Sequence, residues 1–427
     1  MNISSKNSGI SANQQKPFVK QLEPYRKHLA DIHKNGGFDQ LESSINLPFS
    51  KHIDQILAKA KGYQTKTLNT VVVIGIGGSN LGTQAIYEAL PKKNVELLFL
   101  DTVSSSHFSN ILERLTKTHK NKKQFLIVSI SKSGGTAETI ANTEVLLSSL
   151  KKSYGDVRDR LVVITDEGSK FHDETIKQKI DSLTLPKMVG GRFSVFSAVG
   201  LFPLAVAGYD IRALCRGAKS AIEDGTSSIT TKNIAMSLAI TTHLQQKNGF
   251  NIHNSFFFAP ELECLGKWER QLIGESLGKE FDRNGKRVNV GITPIVSIGS
   301  TDLHSMAQLY FGGPRDKFTT IVSIKDMHRH FVPKQQLFPT LVENLAGKTL
   351  ATLMEAVVGG VVAAYQKSKL PFVECVFDKL DELSLGNFLQ MRMLQIMYLG
   401  ELMNVNAFDQ PNVEAYKVET KKRLQNA

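Results

Sequence analysis

QFLIVSISKSGGTAET, residues 124–139, is the stretch on which the fold turns. Its first seven residues form an apolar run rich in β-branched and aliphatic side chains. Such a run reads as a strand buried on both faces, as parallel sheets require. Ser131-Lys132-Ser133-Gly134-Gly135-Thr136 ends the run with small residues, and a helix follows to about residue 150. The order is strand, small-residue turn, helix.

The same order recurs on either side. Residues 70–75 (TVVVIG) read as a strand, Gly77-Gly78-Ser79-Asn80 as a turn, and 81–90 as an amphipathic helix. Residues 96–101 (ELLFLD) and 160–165 (RLVVIT) add two strands. This alternation predicts an α/β domain, doubly wound around a mainly parallel sheet. The second half repeats the style. Residues 293–299 (TPIVSIG), 318–324 (FTTIVSI) and 372–377 (FVECVF) are strand-like, with a helix expected from Asp302. Long helical patterns cover 211–224, 231–247, 347–368 and 383–404. Two α/β domains of similar architecture are expected, 67–205 and 206–427, with a helical crossover near 205–225. Residues 1–66 read as a polar leader followed by helices over 24–34 and 52–61, packing on the second domain.

The 427 residues are 41% hydrophobic and 22% charged, which suits a chain that buries a sizeable core. The net charge of +12 is compatible with nucleic acid, an acidic membrane or a phosphorylated substrate. No run of Lys and Arg exceeds three residues, so the expectation is a basic, solvated surface and neither nucleic acid nor membrane as partner. Cys215, Cys264 and Cys375 are odd in number and far apart, which offers neither a disulfide framework nor a CxxC metal site. The first residues have no apolar core, so they do not read as a signal peptide. The longest uncharged apolar run, 193–209, is short for a membrane span and contains Pro203. A cytoplasmic location is expected.

Two turns offer anion chemistry. In Gly75-Ile76-Gly77-Gly78-Ser79-Asn80, glycine lets backbone approach a ligand at a helix N-terminus. Asn80 stands where a dinucleotide fingerprint needs a third Gly, and the chain has no GxxxxGK[ST] segment. A tight turn without a ligand is an equal reading of this loop alone. The second turn, 131–136, is more specific, because it gathers three hydroxyls, one Lys and two glycines at a strand's carboxyl end. Glu138, just inside the following helix, reads as a cap.

The candidate catalytic groups are scattered. Residues 267–279 read as a helix closed by Gly278, with Gln271 and Glu275 four apart on one face. Taken alone, Glu275 and Glu269 are expected to be solvated surface carboxylates. Arg192 sits in the apolar, glycine-rich VGGRFS (189–194) with no acidic neighbour in sequence. It needs an anionic partner, either a bound anion or a distant Asp or Glu. His304 is expected on the first turns of a helix. Asp326, His328, Arg329 and His330 form a weak metal pattern, read as surface or interface. Residues 408–417 (FDQPNVEAYK) read as a helix start with Gln410 and Lys417 on one face.

Taken together, VIGIGGSNLG, SKSGGTAET, VGGRFSVFSAVGL, GESLGK and FDQPNVEAYK occur in an order that resembles the glucose-6-phosphate isomerase family, over about residues 70–417. The length is similar to the shorter bacterial form. The resemblance implies two sugar-isomerase (SIS) domains, no metal or cofactor, and a homodimer with sites near the subunit boundary. It implies that Ser79, Ser131, Lys132 (through its backbone N–H), Ser133 and Thr136 hold the phosphate, and that Gln271 and Gln410 orient the sugar phosphate. It further implies Glu275 as the base moving a proton between C1 and C2, and Arg192 as the group stabilising the enediolate. His304 from the partner subunit and Lys417 would assist ring opening. Gly135 stands where the family commonly has Thr, and Asn412 where it commonly has Gly. A non-catalytic phosphosugar sensor and an isomerase for mannose 6-phosphate are the competing readings.

Overall fold

A computed structural model describes residues 1–325 and 330–426, with the side chain of His119 excepted. Asp326, His328 and Arg329 therefore lie outside the described residues. The strands are β1 (Asn2–Ser4), β2 (Leu68–Ile74), β3 (Glu96–Leu100), β4 (Gln124–Ile130), β5 (Leu161–Asp166), β6 (Asp181–Leu185), β7 (Ile252–Phe257), β8 (Lys279–Phe281), β9 (Arg287–Val290), β10 (Thr293–Ile298), β11 (Lys317–Ile324) and β12 (Phe372–Phe377). The helices are α1 (Ala12–Asn35), α2 (His52–Tyr63), α3 (Leu81–Ala89), α4 (Ser105–Lys120), α5 (Ala137–Tyr154), α6 (Lys170–Gln178), α7 (Ala198–Val206), α8 (Ile211–Thr226), α9 (Ile234–Lys247), α10 (Glu263–Leu277), α11 (Ala307–Gly312), α12 (Leu350–Lys367), α13 (Glu382–Leu402) and α14 (Glu414–Gln425).

Two five-stranded sheets organise the chain. The first has the order β3-β2-β4-β5-β6 and is parallel throughout. Its central strands β2 and β4 are buried along almost their whole length, because helices cover both faces. The second has the order β1-β12-β11-β7-β10 and is parallel except for β1, which runs antiparallel to β12. Both halves are thus α/β layers with mainly parallel sheets.

Apolar side chains from both halves merge into one large core. At its centre lies α13, which is buried on nearly all sides and packs on α8, α9 and α10. A helix buried on all sides has no solvent face, which explains why it lacks an amphipathic stripe. Among the described residues, no helix is long and apolar enough to cross a membrane.

An interior strand of the second sheet, between β11 and β10, departs from expectation. β7 reads IHNSFF and places His253, Asn254 and Ser255 in the interior. Each finds a partner: His253 meets Thr320 at 2.9 Å, Ser297 donates to Asn254 at 2.9 Å, and Ser255 donates to Glu269 at 3.0 Å. Such pairing offsets most of the cost of placing polar groups in a core strand, although the Asn254 Nδ2 is buried without a hydrogen-bond partner. The helix expected from Asp302 is a short 3-10 turn, Thr301–Leu303, followed by α11.

Candidate active site

α10 brings the site together. It packs on α3 of the first half and on β10 of the second. Gln271 and Glu275 sit one turn apart, and Gln271 Nε2 donates to Glu275 Oε1 at 3.1 Å. The helix stops at Gly278, whose N–H caps the Gly274 carbonyl at 3.0 Å. The Glu275 side chain is about a third exposed, at 32%.

Two glycines of the first turn let that turn reach α10 and the Arg192 segment. A Cβ on Gly77, whose φ is +60°, would stand 2.9 Å from Gln271 Nε2. A Cβ on Gly78 would stand 2.2 Å from the Gly191 carbonyl carbon, so bare backbone meets bare backbone there. Only glycine permits that approach.

Arg192 lies in the turn Gly191–Phe193 with 3% of its surface exposed. Its Nε donates to Ser276 Oγ at 2.8 Å. One terminal nitrogen donates to Gln410 Oε1 at 3.1 Å and to Glu275 Oε2 at 3.5 Å. The other donates to the carbonyls of Ala407 at 2.6 Å and Asp409 at 3.1 Å. Burial pushes this guanidinium below its usual range, and the charges of Glu275 and Asp409 push it back. The distant partner that Arg192 needed is therefore Glu275, backed by two main-chain oxygens. Residues 83 and 218 positions away in sequence converge on one guanidinium.

The second turn follows β4. Ser131 Oγ donates to Thr136 Oγ1 at 3.1 Å, and Ser133 Oγ accepts from the Gly135 N–H at 3.2 Å. Gly135 thus supplies a main-chain donor at the position that lacks a hydroxyl. The Lys132 side chain turns away from its own loop, and its ammonium donates to the carbonyls of Lys187 at 2.6 Å and Val189 at 3.0 Å. It ties this turn to the segment that carries Arg192. Burial lowers the Lys132 ammonium, while Asp166 raises it. Glu138 stands in the first turn of α5, where a negative charge suits the helix dipole, but no side chain caps that helix.

Three expectations need correction. Glu269 is no surface carboxylate: it is 1% exposed and bonded to Arg392, itself buried on α13. Gln410 and Lys417 do not share a helix face. A 3-10 turn, Pro411–Val413, separates Gln410 from α14, and its tighter winding breaks the 3.6-residue register. His304 ends a 3-10 turn rather than opening a helix, and it is exposed.

Neither His304 nor Lys417 is bonded to the Glu275 cluster among the described residues. Lys417 pairs with Glu414 at 2.7 Å on a helix with no buried residue. α10 runs antiparallel to β10, with Gly266 against Val296, Gly274 against Pro294 and Gly278 against Gly291. Glu275 therefore lies near the start of β10, whereas His304 follows the other end of that strand.

Two residues of the cluster, Lys279 and Asp409, were not expected from the sequence. Lys279, directly after the helix-closing Gly278, is 6% exposed and donates to the Glu275 carbonyl at 3.0 Å. It also donates to Asp409, at the carbonyl (2.5 Å) and at Oδ1 (2.9 Å). A lysine following a helix-terminating glycine was the available signal.

Comparison with known proteins agrees with this geometry. Residues 47–426 match the family described as phosphoglucose isomerase. A glucose-6-phosphate isomerase of Methanocaldococcus jannaschii is 34% identical over 355 residues, spanning 82% of this chain and 84% of that one. A glucose-6-phosphate isomerase of Campylobacter jejuni is 31% identical over 413 residues, spanning 95% of this chain and 97% of that one. The crystal structure of a hypothetical protein from Thermus thermophilus superposes with a TM-score of 0.87 at 30% identity, covering 99% of both chains. With its Gly-rich turns, its buried arginine and its helix-borne glutamate, the chain belongs to the phosphoglucose isomerase family.

Proposed function

We propose that this protein interconverts D-glucose 6-phosphate and D-fructose 6-phosphate through a cis-enediolate, serving glycolysis and gluconeogenesis in the cytoplasm. The observation that carries the reading is the meeting of Arg192, Glu275, Gln271 and Gln410, which come from three separate stretches of sequence. The Glu275 carboxylate takes the proton from C2 of the open-chain aldose and returns it to C1, so one group suffices as base and then acid. Arg192, already fixed by its other bonds, faces the charge that develops on the enediolate oxygens without having to reorganise.

Ser79, Ser131, Ser133 and Thr136, with the Lys132 N–H, are the proposed phosphate ligands. Gln271 supports a substrate-orienting role, because its Oε1 is buried without a protein partner and a sugar hydroxyl would satisfy it. His304 and Lys417 are proposed to assist ring opening. His304 would come from a second subunit, a reading supported by its place past the far end of β10. A homodimer is further supported by α12, an apolar helix of which only Val361 and Tyr365 are buried.

A coupled assay converting fructose 6-phosphate to glucose 6-phosphate tests the activity, and absence of turnover would overturn it. Glu275→Gln should lower kcat by about 10³–10⁴-fold. Thermal stabilisation by fructose 6-phosphate should persist in that variant. A near-native rate would remove Glu275 as the base.

A further inference from the structure

We propose that Lys279 is a positioning residue for the isomerisation, clasping the last turn of α10 to the Asp409 turn so that Glu275, Arg192 and Gln410 are held in one arrangement. The inference rests on the reading of Glu275 as the base.

The geometry makes Lys279 a junction. Its ammonium has three protons to donate, and its three acceptors are the Glu275 carbonyl, the Asp409 carbonyl and Asp409 Oδ1. The first of these belongs to the residue whose side chain would do the chemistry. It is one of the carbonyls that a helix C-terminus leaves without an intrahelical partner, and a cation there is favourable. The second is shared with Arg192, which donates to the same Asp409 oxygen. The third fixes a side chain whose other oxygen accepts from Asn406 at 3.0 Å. Residue 410 follows immediately and presents Gln410 to Arg192. Lys279 therefore touches the base and the guanidinium only through main-chain atoms, and it orients both.

The test compares Lys279→Met, Lys279→Arg and Asp409→Ala in the full chain. Lys279→Met keeps the length of the stem and removes the charge and all three bonds. Its kcat should fall by about 100-fold, as small misplacements of a reacting group do, with KM changed far less. Lys279→Arg, which keeps a cationic donor, should restore part of the rate. Asp409→Ala, which keeps the carbonyl acceptor, should lose about tenfold in kcat, less than Lys279→Met does. If Lys279→Met does not fold, Asp409→Ala decides alone: an unchanged kcat overturns the proposal. A Lys279→Met enzyme with lowered melting temperature but unchanged kcat also overturns it, since Lys279 would then only stabilise the fold. The base reading is judged separately by Glu275→Gln. A dead Glu275→Gln with an unaffected Lys279→Met sinks the clasp alone, and an active Glu275→Gln sinks the base assignment.

Discussion

Two glutamates six residues apart on α10 are both paired with arginine, and they could hardly be held more differently. The side chains of Glu269 and Arg392 are 2–3% exposed and directly bonded, with Ser255 as a further donor to the same carboxylate oxygen. Glu275 and Arg192 are separated by 3.5 Å, and the Glu275 side chain is 32% exposed while that of Arg192 is 2% exposed. The first pair is closed on both sides and joins α10 to α13. The second is asymmetric. Arg192 is pinned by Ser276, Gln410, Ala407 and Asp409, whereas Glu275 has only a long contact to it and one bond from Gln271. A fixed cation beside a loosely held carboxylate suits proton transfer, because the carboxylate can move while the charge stabiliser stays still. The difference teaches that the proposed base is set apart by the asymmetry of its pair and not by pairing alone.

The sharpest way to break this contrast is to remove each carboxylate charge in turn. Glu269→Gln leaves Arg392 buried without a counter-charge and should destabilise the protein by about 3–5 kcal/mol. Urea unfolding would show it, and kcat per folded molecule should stay close to wild type. Glu275→Gln should do the reverse, changing stability by about 1 kcal/mol or less while removing turnover. Equal effects of the two substitutions on stability would erase the distinction.

A smaller effect is expected where the first turn meets the Arg192 turn. Gly78→Ala would drive a methyl into the Gly191 backbone, and overpacking of that kind costs about 1–3 kcal/mol. Because the displaced turn carries Arg192, kcat/KM should fall beyond what the stability loss explains, measured at a temperature where the variant is fully folded.

The smallest effect concerns a third carboxylate, which has no close cationic bond. Asp166, at the end of β5, has one buried oxygen without a partner, and burial raises it from 3.8 to about 6, against the pull of Lys132 and Lys187. Folding therefore favours its protonated form. That contribution is present below pH 3.8 and is lost as pH rises through about 6. Asp166→Asn mimics the protonated form. It should raise stability at about pH 7.5 by about 1 kcal/mol after allowing for solvent screening. The gain should vanish near about pH 4, as melting temperatures at the two pH values would show.

Much of the fold was legible in runs of like residues. β4 and β12 were read to their last residue, because apolar runs bounded by turns leave few alternatives. β7 was not, since His253, Asn254 and Ser255 look like loop residues until Thr320, Ser297 and Glu269 are brought to them by the folded chain. β1 was hidden for a different reason: three residues are too few to show a period, and its place comes from pairing with β12. Arg192 was legible as a charge lacking a local partner. Lys279 left only its place after Gly278 as a signal and Asp409 none, because their bonds run mostly to main-chain oxygens, which side-chain patterns do not record.

Lys132 has a consequence for how an anion would be received at the second turn. Its ammonium is committed to the carbonyls of residues 187 and 189, so the loop itself offers hydroxyls and amide N–H groups. A phosphate held by neutral dipoles exchanges few counterions with solution. Its retention should depend on the fit of those dipoles far more than on ionic strength, which mainly screens exposed charges beyond about 10 Å. A lysine at the mouth would attract every anion in the cell; a lysine turned inward leaves selection to shape.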